Sequence, residues 1–206
     1  MENKMNLFDE LENVQNIFEI SAIPGVDGAF IFGSYLYGNN DEYSDRDFCI
    51  ITELVDDYEL LESHNDFHIM NLDYYKKLLK EHNDMALSMY FQRGSLKNFY
   101  VEFNLNLPTL RKFFSTKANN SFVKAKKKFL QGDIRLAYKS MFHSLRLLKW
   151  GINIATGNGN NYDYLIDYNK IKGDFLKAEN WDILKDIYKP QFNKYATKFR
   201  LVAPKE

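Results

Sequence analysis

Two short apolar runs, Ala29-Phe30-Ile31-Phe32 and Phe48-Cys49-Ile50-Ile51, flank a stretch that is polar or turn-forming for most of its length. That stretch reads Gly33-Ser34-Tyr35-Leu36-Tyr37-Gly38-Asn39-Asn40-Asp41-Glu42-Tyr43-Ser44-Asp45-Arg46-Asp47. Apolar runs of this length bounded by turn residues read as strands. The segment between them therefore joins two strands. Gly33 ends the first run and can take backbone angles closed to other residues. Gly38 reads as the stop of a helical turn, and Asn39-Asn40-Asp41 is turn-prone.

The carboxylates at the end of this segment carry a chemical expectation. Side chains at i and i+2 of a strand share a face, so Asp45 and Asp47 are expected side by side. Two adjacent carboxylates repel, and one pKa rises unless something neutralises them. A hard divalent cation does so; magnesium takes one or two carboxylates together with substrate phosphates. Two such ions, roughly 3.5–4 Å apart, clamp the attacking and leaving oxygens of an in-line displacement. Gly33 lets backbone N–H groups approach a phosphate, and Ser34 adds a hydroxyl, so the pair reads as a triphosphate cradle.

A further carboxylate, Asp66, lies downstream. Asn65-Asp66-Phe67-His68-Ile69-Met70-Asn71-Leu72 alternates like a half-buried strand. It offers Asp66 as general base or as a further metal ligand. His68 shares the strand face of Asp66. Asp73 precedes an apolar-periodic segment and reads as a helix N-cap. Asp56, Asp57, Glu59 and Glu62 read as a solvated polar connection.

Composition bounds the rest. The chain has 206 residues, enough for one domain or two small ones. Its net charge is −1, which gives no overall basic field for nucleic acid. The one cysteine, Cys49, lies in a predicted strand, excludes an internal disulfide and reads as a buried thiol in a reducing compartment. No apolar run nears the ~20 residues of a membrane helix. Met1-Glu2-Asn3-Lys4 does not resemble a signal peptide. The expectation is a cytoplasmic protein that does not engage a membrane.

Periodicity predicts a helix over 6–20, strands near 28–33, 45–53 and 66–72, and helices near 73–83 and 84–92. Residues 98–106 are ambiguous between strand and loop. The second half reads as helical: 108–115 and 121–131, separated by Thr116-Lys117-Ala118-Asn119-Asn120, then 133–155, 162–172 and 174–188, the last ended by Pro190. The expected division is a catalytic core over 1–106 and a helical domain over 107–206.

The helix at 133–155 carries two stripes. Ile134, Tyr138, Met141, Leu145, Leu148 and Ile152 form an apolar one. Arg135, Lys139, His143, Arg146 and Lys149 form a basic one without an acid. It reads either as a cationic wall toward a triphosphate, chiefly Lys139, His143 and Arg146, or as a solvated face paired elsewhere. Lys124, Lys126, Lys127 and Lys128 read either as a solubilising surface or as contacts to an RNA backbone.

Gly33-Ser34, ten residues, then Asp45-x-Asp47 opening a strand, with Asp66 following, resembles the DNA polymerase β-like nucleotidyltransferases, similar to bacterial and phage members of that superfamily. The resemblance implies an α+β fold: a small mixed sheet flanked by helices, then a helical C-terminal domain. It implies an NTP-dependent enzyme that moves a nucleoside monophosphate to a hydroxyl and releases pyrophosphate. Asp45, Asp47 and Asp66 would hold Mg2+, in two ions, and Gly33, Ser34, Lys139, His143 and Arg146 the nucleotide, ATP among the candidates. The acceptor is left open among protein, RNA and small molecule. The spacing also resembles the minimal nucleotidyltransferases of toxin–antitoxin systems, which modify proteins. One departure stands out: the residue between the aspartates is usually apolar, and here it is Arg46. The alternative is a non-catalytic nucleotide-binding or interaction module that keeps the fold.

Overall fold

The computed structural model describes residues 26–53, 58–61, 65–92, 101–160 and 166–205. The helix expected over 6–20 lies outside them. The chain forms two compact units, Met1–Asn104 and Leu105–Glu206. The fold is α+β, a small mixed sheet with helices followed by a helical part.

The first unit is built on four strands: β1 (Val26–Phe32), β2 (Arg46–Thr52), β3 (Tyr58–Leu61) and β4 (Asn65–Met70). Their order is β1-β2-β4-β3, with β1–β2 and β3–β4 antiparallel and β2–β4 parallel. Strand β2 has a neighbour on each side, and Phe48 through Thr52 are all buried. That is why its sequence is a continuous apolar run rather than an alternating one. The segment read as a solvated connection contains β3, an edge strand that includes Glu59. Charge on an edge strand blocks pairing with another chain, and it also hides the strand from a hydropathy reading.

Among the described residues three helices accompany the sheet: α1 (Gly33–Tyr37), α2 (Leu72–Lys80) and α3 (Asp84–Phe91). The cap of α2 is Asn71, whose Oδ1 accepts from the Tyr74 N–H at 2.7 Å. Asp73, expected to be that cap, lies inside the first turn and pairs with Lys76 at 3.4 Å. Asn83 caps α3 by accepting from the Met85 N–H at 2.9 Å. Between the two helices His82 takes a left-handed backbone, φ 57°, and is buried with Nδ1 3.1 Å from the Lys80 carbonyl. Burial pulls its pKa down, against the hydrogen bond to that carbonyl.

Among its described residues the second unit has four helices, α4 (Leu107–Leu130), α5 (Ile134–Ala155), α6 (Tyr168–Lys177) and α7 (Trp181–Val202). The break expected at 116–120 does not occur; α4 runs unbroken for 24 residues. Leu110, Phe114, Ala118 and Ala125 are buried along one side, and the Ser144 hydroxyl of α5 donates to the Ala118 carbonyl at 2.8 Å. Packing of that side outweighs the weak helix propensity of Thr116, Asn119 and Asn120. Asn119 is satisfied within the helix, its Nδ2 donating to the Ser115 carbonyl at 2.8 Å. Pro190 likewise does not end a helix but sits inside α7, exposed, while Trp181, Leu184, Tyr188, Phe192 and Phe199 continue the buried stripe past it. Its solvent-facing position lets water take the carbonyl that a proline cannot bond. Among the described residues no helix is long and apolar enough to cross a membrane.

Candidate active site

Sheet register assembles the site. Phe32, the last residue of β1, pairs with Asp47 at the start of β2, and Asp47 pairs in turn with Asp66 of β4. Three consecutive strands therefore bring the Gly33 turn, Asp47 and Asp66 to one end of the sheet. Asp45 immediately precedes β2 and is exposed, whereas Asp47 is partly buried. Alternation places the two on one side of the strand. The side chain of Asp66 lies outside the described residues. Among the described residues no three His, Cys, Asp or Glu side chains form a metal-binding group.

Gly33 has φ 68°, a conformation that disfavours any side chain. A Cβ built there would stand 2.6 Å from the Asp47 Cγ and overlap Oδ2. Only glycine lets the turn lie this close to the carboxylate. The backbone bends away again at Gly38, φ 66°, whose N–H donates to the Ser34 carbonyl as the left-handed C-cap of α1. Asn39 donates to the same carbonyl at 3.0 Å.

The approach to Asp45 is held by a compact turn. Asp41 Oδ1 accepts from the Ser44 hydroxyl at 2.8 Å and from the Tyr43 N–H at 3.2 Å. Ser44 Oγ accepts from the Asp41 N–H at 2.8 Å, and the Ser44 N–H donates to the Asp41 carbonyl at 2.9 Å. Ser44 is thus a turn-closing residue that sets the chain's course into the two aspartates.

Further contacts fix α1, and the sequence reading missed them. The Tyr37 and Ser88 hydroxyls are 2.6 Å apart, joining α1 to α3. Gln92 Nε2 donates to the Ile31 carbonyl at 2.7 Å, joining the end of α3 to β1. The unexpected Arg46 stacks its guanidinium over the Tyr35 ring, 5.4 Å from the centroid. It therefore ties the start of β2 to α1 through a cation–π contact. No local sequence signal announces pairs separated by 51 or 61 positions. His68 stands edge-on to Phe32 at 6.4 Å. Cys49 is fully buried; that burial, together with the nearby Asp47 and Asp84 charges, pushes its thiol well above the ordinary range. It is a packed, unreactive side chain.

Lys139, His143 and Arg146 belong to the helical unit. Arg146 is 1% exposed, and its guanidinium donates to His143 Nδ1 at 2.8 Å. Since arginine keeps its protons, Nδ1 is an acceptor and the ring proton sits on Nε2. Lys149 stacks over the Tyr195 ring at 5.5 Å. The stripe is therefore not a uniformly solvated face.

The mixed sheet thus gathers the Gly33 turn, Asp47 and, by register, Asp66 at one end of three neighbouring strands. Residues 14–103 match the family model of the nucleotidyltransferase domain. A solved nucleotidyltransferase-like protein from Exiguobacterium sibiricum is similar over 95% of this chain and 77% of its own, at 15% identity and a TM-score of 0.39. No curated protein matches the chain.

Proposed function

We propose that the protein is a magnesium-dependent nucleotidyltransferase that moves a nucleoside monophosphate from an NTP to an acceptor hydroxyl. The observation that carries this reading is the contact between Gly33 and Asp47, with Asp66 in register beside Asp47. The residues fit a divalent cation: alternation puts the Asp45 and Asp47 carboxylates on one side of the chain at the start of β2, and Gly33, lacking a Cβ, admits the Asp47 carboxylate against the turn. Asp45 and Asp47 would hold the metal, with Asp66 as a further ligand. Bound magnesium supplies positive charge that offsets the charge developing on the transferring phosphoryl group and the leaving pyrophosphate.

In this reading the chain's own residues position and deprotonate. The Gly33 N–H and the Ser34 hydroxyl orient the phosphates. Among the described residues none bonds that hydroxyl, which leaves it available to a ligand. Asp66 takes the acceptor hydroxyl's proton as its oxygen forms a bond to the α-phosphorus. The bond from that phosphorus to the bridging oxygen breaks, and pyrophosphate departs with the electron pair. Lys139, His143 and Arg146 are assigned to nucleotide binding.

The test is incubation with each α-labelled nucleoside triphosphate and Mg2+, with RNA, protein and small-molecule acceptors supplied. Wild type transfers label, and Asp45→Asn and Asp47→Asn reduce transfer to background with the circular dichroism spectrum unchanged. Transfer surviving Asp47→Asn overturns the site. Nucleotide binding without any transfer favours a non-catalytic module.

A further inference from the structure

The near-zero net charge conceals a separation. The first unit has 20 Asp and Glu against 7 Lys and Arg, a net −13; the second has 20 Lys and Arg against 8 Asp and Glu, a net +12. Helix α4 concentrates this: its 24 residues include seven Lys and Arg and no Asp or Glu. Because the helix is continuous, Lys112, Thr116, Asn120, Lys124 and Lys127 follow one another at steps of four and three, on one side. All five are exposed. Among the described residues Lys112, Lys124 and Lys127 meet no carboxylate, whereas Lys128 pairs with Asp133, Lys170 with Asp174 and Lys185 with Asp182.

Exposed helix faces ordinarily mix signs, because like charges a turn apart destabilise the helix. The helix dipole favours Lys127 near the C-terminus but does nothing for Lys112 or Lys124. Ammonium, hydroxyl and amide groups are the side chains that contact phosphate and sugar oxygens. At 1.5 Å per residue, α4 extends for roughly 36 Å, long enough to follow several phosphates of one strand. A lipid surface fits less well, since an interfacial helix buries an apolar face in the membrane. The apolar side of α4 is already buried with Leu110, Phe114, Ala118 and Ala125, and its exposed Lys–Thr–Asn face offers two large apolar side chains, Val123 and, at the C-terminal end, Leu130, too few to make an interfacial apolar face.

We propose that α4 binds the phosphate backbone of a single-stranded nucleic acid, whose terminal hydroxyl is the acceptor. The acceptor assignment rests on the proposed transfer reaction; the binding surface does not. The test measures binding of fluorescein-labelled 20-nucleotide RNA and DNA to the full chain by anisotropy between 50 and 200 mM NaCl. Wild type binds with log Kd linear in log salt. The triple variant Lys112→Gln, Lys124→Gln, Lys127→Gln weakens binding at least tenfold at 50 mM and reduces the salt slope by about 2, at about 0.7 per lost contact. The triple Lys→Arg variant retains both. Asp45→Asn, Asp47→Asn leaves binding intact, which separates this surface from the transfer chemistry. Wild type that ignores both strands overturns the proposal. So does an unchanged slope in the Gln variant, or preferential binding to vesicles containing 30% phosphatidylserine. The same loss on Lys194→Gln, Lys198→Gln in α7 also overturns it, because diffuse charge would then suffice.

Discussion

At the scale of single residues, Gly33 couples backbone conformation to the placement of Asp47. Alanine there would meet two penalties, a positive φ costing about 1–3 kcal/mol and a collision with the Asp47 side chain. Gly33→Ala is expected to lose transfer activity to near background, with the unfolding free energy lowered by at least the about 1–3 kcal/mol of the positive φ. A labelled-NTP assay beside urea denaturation checks this, and full activity in the alanine variant would remove the turn from the site. The glycine and both aspartates were legible because they are local, fifteen residues read together between two apolar runs. Arg46 was legible only as an anomaly. Its partner, Tyr35, lies eleven positions back across a turn, and cation–π pairing leaves no pattern in a linear sequence.

At the scale of elements, caps and interruptions separate what sequence fixes from what packing decides. Asn71 rather than Asp73 starts α2, so Asn71→Ala should cost about 1 kcal/mol. Asp73→Ala, at an exposed position, should stay within about 0.5 kcal/mol. Equal losses in chemical denaturation would contradict the assignment. Both residues are good caps in isolation, and only the Tyr74 N–H bond distinguishes them. Pro190 makes the complementary case. Proline inside a helix is about 3 kcal/mol less favourable than alanine, and its stiffening of the unfolded chain returns about 0.4–1 kcal/mol. Pro190→Ala should therefore stabilise the protein by about 2 kcal/mol, read as a higher denaturation midpoint. The break expected at 116–120 and the stop expected at Pro190 fail for one reason: a buried stripe on either side carries the helix across a locally poor segment. Strand β3 fails in the opposite sense, its short apolar content masked by Glu59 and the acids around it.

At the scale of the whole molecule, two units with their own cores and opposite charge occupy one chain. We propose that they unfold in separate cooperative steps. Calorimetry should resolve two transitions, and raising NaCl should shift their midpoints unequally, as self-repulsion within each unit is screened. A single transition at every salt concentration would contradict this. The total charge of −1 could not reveal the arrangement, because averaging across a fold boundary cancels the quantity that matters. The closeness of Gly33 to Asp47 has a last consequence. An amide held against a carboxylate feels that group's charge directly, so in a nitrogen-15 spectrum the Gly33 resonance is a resident gauge of the site. It should move when Asp47 is neutralised and again when a cation arrives, reading occupancy before any turnover is measured.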